Sequence, residues 1–224
     1  MCGRFGISFD RELIEQRFGA KFEEDFKPRY NAAPSQSLPV ILNDEPKTIQ
    51  FLSWGLRPAW MTKVSKREGL INVRAETLQE KPTFKKDLAW HRCLVLADSF
   101  YEWKKTGKQK LPYRILLKSG EPFAFAGIWE ENTDEDGQPL KTFAIITTEA
   151  NSLVGQVHNR MPVMLKPEAE KIWTDHDSSM ENLYSLLHPY PANLMQMYEI
   201  STRINRASED SPELIKPAAR SAGA

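Results

Sequence analysis

The sequence predicts an α+β fold, an antiparallel sheet or barrel core with short peripheral helices, on three observations. Apolar runs of five or six residues recur through the middle of the chain, at 38–42, 48–53, 92–97, 113–117, 123–128 and 143–147. Strong turn formers punctuate them, namely Asn43-Asp44-Glu45-Pro46, Thr106-Gly107, Ser119-Gly120 and Asp134-Glu135-Asp136-Gly137. The connections are too short for crossover helices, and helical patterning is confined to the beginning and the end of the chain.

Taken in order, the stretch from Asp10 places Leu13, Ile14, Arg17 and Phe18 at helical spacing and stops at Gly19, so a short helix capped by Asp10 is expected. Pro28-Arg29-Tyr30-Asn31-Ala32-Ala33-Pro34 sets two prolines around a polar centre and is expected as an ordered loop without regular structure. The runs 38–42 and 48–53 form a hairpin, and the four later runs supply further strands. Residues 151–157 read as a short helix, and Pro167 opens another through Trp173. Ser178-Ser179-Met180-Glu181 is a capping-box pattern ahead of 183–187, and 197–201 supplies a last strand. A single domain over 1–210 is expected, with 211–224 as a flexible tail.

Lys plus Arg and Asp plus Glu number 30 each in 224 residues, so the net formal charge is zero. A broadly basic nucleic-acid coat is thereby excluded, and any anion must be held by a local cluster of arginines. The two cysteines, Cys2 and Cys93, form neither a disulfide framework nor a metal-ligand pair. Cys93 lies in the run Cys93-Leu94-Val95-Leu96-Ala97 and is expected as a small buried hydrophobe. No basic region followed by an apolar run marks a signal peptide, and no apolar stretch approaches the ~20 residues of a membrane span. A cytoplasmic protein is expected.

Cys2 is the residue with the most distinctive chemistry. Once Met1 is trimmed it becomes a 1,2-aminothiol, which traps an aldehyde twice, as an imine and then as a five-membered thiazolidine. Its α-amine titrates near ~7.7–8.0 against ~10.4 for lysine, so it is a nucleophile near neutral pH without burial. The plain alternative is an accidental Met-Cys start. Arg4 beside it either holds a phosphate and lowers a nearby pKa or is an ordinary surface arginine. In Ile71-Asn72-Val73-Arg74-Ala75-Glu76 the polar residues alternate with small or apolar ones, so in an extended segment Asn72, Arg74 and Glu76 share one face. That face orients an amine, a hydroxyl or a phosphate, or it is merely solvated. Glu102 sits among aromatics in Ser99-Phe100-Tyr101-Glu102-Trp103, where an apolar setting raises a carboxyl pKa toward a general acid's; the alternative is a strand-end glutamate paired with a lysine. His158, ahead of Asn159-Arg160-Met161-Pro162, can exchange protons near neutral pH, whereas His91, His176 and His188 look structural. Trp54 and Trp60 flank Arg57 and Pro58; Trp54 is expected in the core and Trp60 as a surface for stacking unpaired bases.

These segments together resemble the SRAP (SOS response-associated peptidase) family. The resemblance rests on Met-Cys-Gly-Arg at 1–4, Pro-Arg-Tyr-Asn-Ala-Ala-Pro at 28–34, Trp-Gly-Leu at 54–56, Asn-x-Arg-x-Glu at 72–76, Phe-Tyr-Glu-Trp at 100–103 and His-x-Arg-Met-Pro at 158–162. It spans nearly the whole chain. It implies a protein that covalently caps abasic sites in single-stranded DNA through a thiazolidine between Cys2 and the deoxyribose C1′. In family terms Asn72 positions the N-terminus and the sugar, and Glu102 and His158 are the acid–base pair. Arg4 and Arg74 contact phosphates, and Arg160, Trp60 and the loop residues Arg29, Asn31 and Pro34 line the path of the strand. The resemblance implies no metal and no cofactor, a monomer acting at the nucleoid, the replication machinery as a partner, and weak lyase side activity. Arg57, Val73 and Asp98 depart from the family's usual residues and bear on the strand rather than on the chemistry. Two other readings of the same residues stay open: a thiol autopeptidase that removes its own N-terminal residues, and a non-covalent single-strand binder built on Trp60 and the arginines.

Overall fold

The apolar runs are strands buried on both faces. The computed structural model describes residues 2–58, 69–133 and 136–218. Its first part contains β1 (Phe5–Ile7), α1 (Arg11–Phe18), β2 (Lys21–Phe22), β3 (Arg29–Ala32), β4 (Ser37–Leu42) and β5 (Thr48–Trp54). The middle contains β6 (Asn72–Arg74), α2 (Ala75–Glu80), α3 (Pro82–Trp90), β7 (Arg92–Ala97), β8 (Ser99–Thr106), β9 (Gln109–Leu117) and β10 (Phe123–Thr133). The last part contains β11 (Pro139–Glu149), β12 (Arg160–Pro162), β13 (Met164–Leu165), α4 (Pro167–Thr174), α5 (Met180–Ser185) and β14 (Met195–Glu199).

Along the central strands alternate side chains enter two different apolar clusters. One cluster takes Leu38, Val40 and Leu42 of β4, Cys93, Val95 and Ala97 of β7, Phe123 and Phe125 of β10, and Phe143 and Ile145 of β11. The other takes Ile41, Leu94, Leu96, Ala124, Ala126, Ile128, Ala144 and Ile146 from the opposite faces of the same strands, with α-helical residues such as Ile14, Leu78, Leu88 and Trp173. Strands clothed on both sides lose the polar alternation of a half-exposed sheet, which is why they read as unbroken apolar runs. β11, β10, β7, β4 and β5 pair in that order, and the sheet closes where Ser53 and Trp54 pair with Thr142 and Phe143. The core is therefore a five-stranded barrel.

A second, antiparallel sheet runs β14-β9-β8-β1-β3. Phe5 of β1 joins it to the barrel interior, its ring 5.1 Å from Trp54 and 5.8 Å from Phe125. Arg92, wholly buried, fastens the helices to the barrel. Its guanidinium donates to the carbonyls of Leu88 and Ala89 at the end of α3 and of Trp173 and Asp175 at the end of α4. Carbonyls at helix C-termini lack intrahelical donors and carry partial negative charge, so one arginine satisfies two helix ends at once. Among the described residues no helix is long and apolar enough to cross a membrane.

The expected α1 is present, with Asp10 accepting from the Leu13 amide and Gly19 in the left-handed region at φ 62°. The antiparallel expectation needs correction at three places, because β5 pairs in parallel with β2 and β11, and β6 in parallel with β11. The long excursion between β5 and β7 carries β6 back across the barrel and adds α2 and α3, which no periodicity announced. Residues 28–34 are likewise not all loop. Their prolines bracket β3 without interrupting it, and Ala32 pairs with Phe5. Within the segment 211–224 expected as a tail, residues 212–215 form a 3-10 turn that buries Leu214 against Tyr101, Ile200 and Ile204. Residues 219–224 lie outside the described residues.

Candidate active site

Cys2 enters the fold just before β1, which lies between β8 and β3 in the second sheet. β1 pairs with β8 so that Phe5 faces Phe100 and Gly6 faces Ser99, and the Tyr101 amide donates to the Arg4 carbonyl at 3.0 Å. Continuing that register sets Gly3 opposite Glu102. The pairing of two short strands thus delivers the Cys2 end of the chain to the only carboxylate of β8. Cys2 is fully buried, with its Sγ 3.7 Å from the Arg4 carbonyl. Burial, and then the charge of Glu102, push its thiol above the ordinary range, so sulfur is held as the protonated thiol.

Asn72, at the start of β6, is placed by the parallel pairing with Ile145. Its Nδ2 donates to the Cys2 carbonyl at 2.8 Å, and its buried Oδ1 has no hydrogen-bond partner among the described residues. An acceptor held in that way suits an N–H or O–H that arrives with the reacting groups. Glu102 is 3% exposed inside β8. Burial raises its carboxyl pKa, opposed by the nearby His158 and by the Trp103 amide. Glu102 therefore interacts electrostatically with both Cys2 and His158, although the three come from the middle, first and late parts of the chain.

His158 is delivered by a 3-10 turn at Val154–Gln156. The Asn151 side chain builds that turn: Oδ1 accepts from the amides of Leu153 and Val154, and Nδ2 donates to the Tyr190 carbonyl. The His158 amide then donates to the Val154 carbonyl at 2.9 Å. Its Nδ1 lies 3.0 Å from the Arg160 amide and 3.2 Å from the Arg160 carbonyl. A bare Nδ1 takes the amide as donor and a protonated one donates to the carbonyl, so the ring has a partner in either state.

The arginines divide into two groups. Arg74 is exposed at the N-terminal boundary of α2 and has no ion-pair partner among the described residues. Arg4 is half-buried, with Nη1 donating to Asn31 Oδ1 at 2.7 Å and to the Ile204 carbonyl at 3.0 Å. Asn31 is itself fully buried and donates to the carbonyls of Ile204, Arg206 and Glu209, so it aims Arg4 from beneath. Arg29 is bound to Asp210 and Gln36, and Asp210 also accepts from the amides of Tyr30 and Asn31. Arg160 makes a two-pronged pair with Glu76, at 2.8 and 3.0 Å, and donates to the Thr147 carbonyl at 2.7 Å. Glu76 does not share an extended face with Asn72 and Arg74. β6 ends at Arg74, and Glu76 lies in the first turn of α2. Pro34 is half-buried just beyond β3, and Trp60 lies outside the described residues.

Asn151 and Asp210 are polar residues beside the site that the sequence did not single out. Glu76 was named for its place in Asn-x-Arg-x-Glu, but its partner Arg160 lies far along the chain. Among the described residues no group of three or more histidine, cysteine, aspartate or glutamate side chains converges as a metal site would. A cleft of about 440 Å³ lined by Phe9, Leu13, Gln16, Arg17 and the β9–β10 turn contains none of the site residues.

Fold and site together define an α+β barrel protein whose second residue, a cysteine, is buried with its carbonyl held by Asn72 and lies within electrostatic reach of the buried Glu102. A family model described as SOS response associated peptidase (SRAP) matches residues 1–207. The chain is similar to abasic site processing protein YoqW of Bacillus subtilis (strain 168), 45% identical with 96% of this chain and 99% of that one covered. It is also similar to abasic site processing protein YedK of Escherichia coli (strain K12), 30% identical with 97% and 100% covered. A crystal structure of a protein from Bacteroides thetaiotaomicron superposes with a TM-score of 0.88 at 28% identity, covering 97% of this chain and all of that one. The chain belongs to the SRAP family.

Proposed function

We propose that this chain processes abasic sites in single-stranded DNA by bonding them covalently to Cys2. The observation that carries the proposal is the enclosure of Cys2 with Glu102 and His158, while Asn72 grips the Cys2 carbonyl. Relatives named as abasic site processing proteins supply the substrate class.

In this reading removal of Met1 frees the Cys2 amine. An abasic deoxyribose is mostly a closed hemiacetal, and Glu102, its pKa raised by burial, donates a proton to the ring oxygen and releases the C1′ aldehyde. The amine adds to C1′, with Asn72 Oδ1 accepting one of its N–H bonds. His158 and Glu102 move the protons that let one water leave, and an imine remains. The Cys2 sulfur then bonds to C1′, its proton passes to the acid–base pair, and the imine nitrogen takes one up. The net change is the loss of one water. Because thiol and imine are carried on adjacent carbons, closure benefits from effective molarities of ~10⁵ M or more. Closure also removes the imine that would otherwise permit β-elimination, so strand cleavage is the side reaction of an incomplete capture. Arg4 and Arg74 hold the flanking phosphates.

The test is a denaturing gel of the trimmed protein incubated with single-stranded DNA that bears one abasic site. A shifted band is expected that Cys2→Ala abolishes and that Cys2→Ser retains only after borohydride trapping. A shifted band undiminished in Cys2→Ala would contradict the proposal.

A further inference from the structure

From Trp103 to Gly120 the chain carries five lysines and one arginine and no acidic residue, in a protein whose charges as a whole balance to zero. Arg114 is accounted for by its buried pair with Asp98 at 3.0 Å. Four of the lysines, Lys104, Lys105, Lys108 and Lys110, crowd the tip of the β8–β9 hairpin, where every residue from 104 to 110 is exposed. None of the four forms an ion pair or a side-chain hydrogen bond among the described residues. The register aggravates the crowding, since Lys105 stands directly opposite Lys110. Like charges facing each other across a strand pair destabilise it, so the hairpin is not charged for its own benefit.

Its position ties it to the site. β8 carries Glu102 and, two residues on, Lys104, and alternate residues of a strand share a face about 7 Å apart. The tip lies about 15 Å beyond Glu102 at strand rise. Trp103 fixes the base of the hairpin by donating to Asn205 Oδ1 at 2.7 Å, and the turn is closed by Gly107 at φ 59°. The tip is thus an anchored, uncompensated cationic arm that continues the strand holding the candidate acid.

We propose that this hairpin is a second nucleic-acid contact, which grips the phosphates of the DNA strand several nucleotides away from the one that reacts. The proposal rests on the DNA-capture reading above and extends its footprint. A phosphodiester strand leaving the Glu102 side of β8 meets Lys104 and then the tip lysines, and its charge relieves the Lys105–Lys110 repulsion. At the 3.4 Å rise per nucleotide of a duplex strand, about 15 Å is about four nucleotides. The contact is to phosphates alone, so it adds affinity without sequence preference.

The experiment compares wild type with the variant combining Lys104→Ala, Lys105→Ala, Lys108→Ala and Lys110→Ala. Fluorescence anisotropy is measured on undamaged single strands, one short and one long enough to reach the hairpin, across a salt series. The variant should bind the long strand about tenfold more weakly at low salt, with a salt slope shallower by about 0.7 for each phosphate that the lysines no longer neutralise. The difference should shrink on the short strand. Equal affinities and slopes for the two proteins on the long strand would overturn the proposal, as would a hairpin-dependent preference for polyglutamate over DNA. Covalent capture by wild type on the short abasic strand is scored separately. Its absence would contradict the capture reading while leaving the lysine-dependent binding to stand or fall alone.

Discussion

Glu102 shows how a single residue records the conflict between stability and chemistry. It is 3% exposed, and burial raises its pKa because the charged form has lost its water. The folded protein consequently binds this proton more tightly than the unfolded chain, whose glutamate titrates near about 4.3. Between that value and the raised one the native state holds more protons than the unfolded state, so stability falls as pH rises through the window. Glu102→Gln keeps the shape and cannot ionise. It should melt a few degrees above wild type at neutral pH, the gap closing in acid, as calorimetry across a pH series would register. The capture rate should move the other way. Wild type is expected to show a bell-shaped profile, its acid limb from the Cys2 amine and its alkaline limb from Glu102; the glutamine variant should be slower and lack the alkaline limb. A variant with wild-type rates at all pH values would remove Glu102 from the acid's role. The aromatic flanks of Glu102 made its burial legible in the sequence. The occupations of Asn31 and Arg160 were not legible, because Ile204, Arg206, Glu209 and Glu76 approach them only in the fold.

At the scale of elements, close packing between barrel strands decides what the chain tolerates. A Cβ added at Gly127 of β10 would lie 2.8 Å from Cys93 Sγ, 2.9 Å from Val95 Cγ2 and 3.1 Å from the Ala144 carbonyl. Gly127→Ala should therefore cost about 1–3 kcal/mol through overpacking and lower Tm by several degrees, with capture at low temperature retained because the atoms nearest the added Cβ belong to none of the site residues. An unchanged Tm would mean that β7 and β11 yield more easily than their contacts imply. Elements with local causes were readable: α1 from its cap, spacing and terminal glycine, the β4–β5 hairpin from its turn, and β7 from its apolar run. Elements with distant causes were not. β3 forms because β1 offers it hydrogen bonds, β6 because β11 has a free edge, and the 212–215 turn because Leu214 finds a buried site beside Tyr101. The chain pattern 72–76 looked continuous, yet it changes from strand to helix between Arg74 and Ala75, and that change turns Glu76 toward Arg160.

On the scale of the whole molecule the site belongs to no single element. Cys2 precedes β1, Asn72 opens β6, Glu102 lies within β8, and His158 follows β11. The barrel is what brings them together, since β6 lies along β11 while Phe5 pins the second sheet to Trp54 and Phe125. Such an arrangement encloses the second residue of the chain, where, on the proposal above, the amine freed by loss of Met1 and the thiol meet one carbon. The most direct measurement is the intact mass of the protein after incubation with a single-stranded oligonucleotide bearing one abasic site, before and after borohydride. The account predicts an adduct equal to the Met1-trimmed protein plus the oligonucleotide less one water, absent in Cys2→Ala, and unchanged by borohydride because the ring has closed. An adduct that gains two hydrogens on reduction, or one that forms undiminished without Cys2, would contradict it.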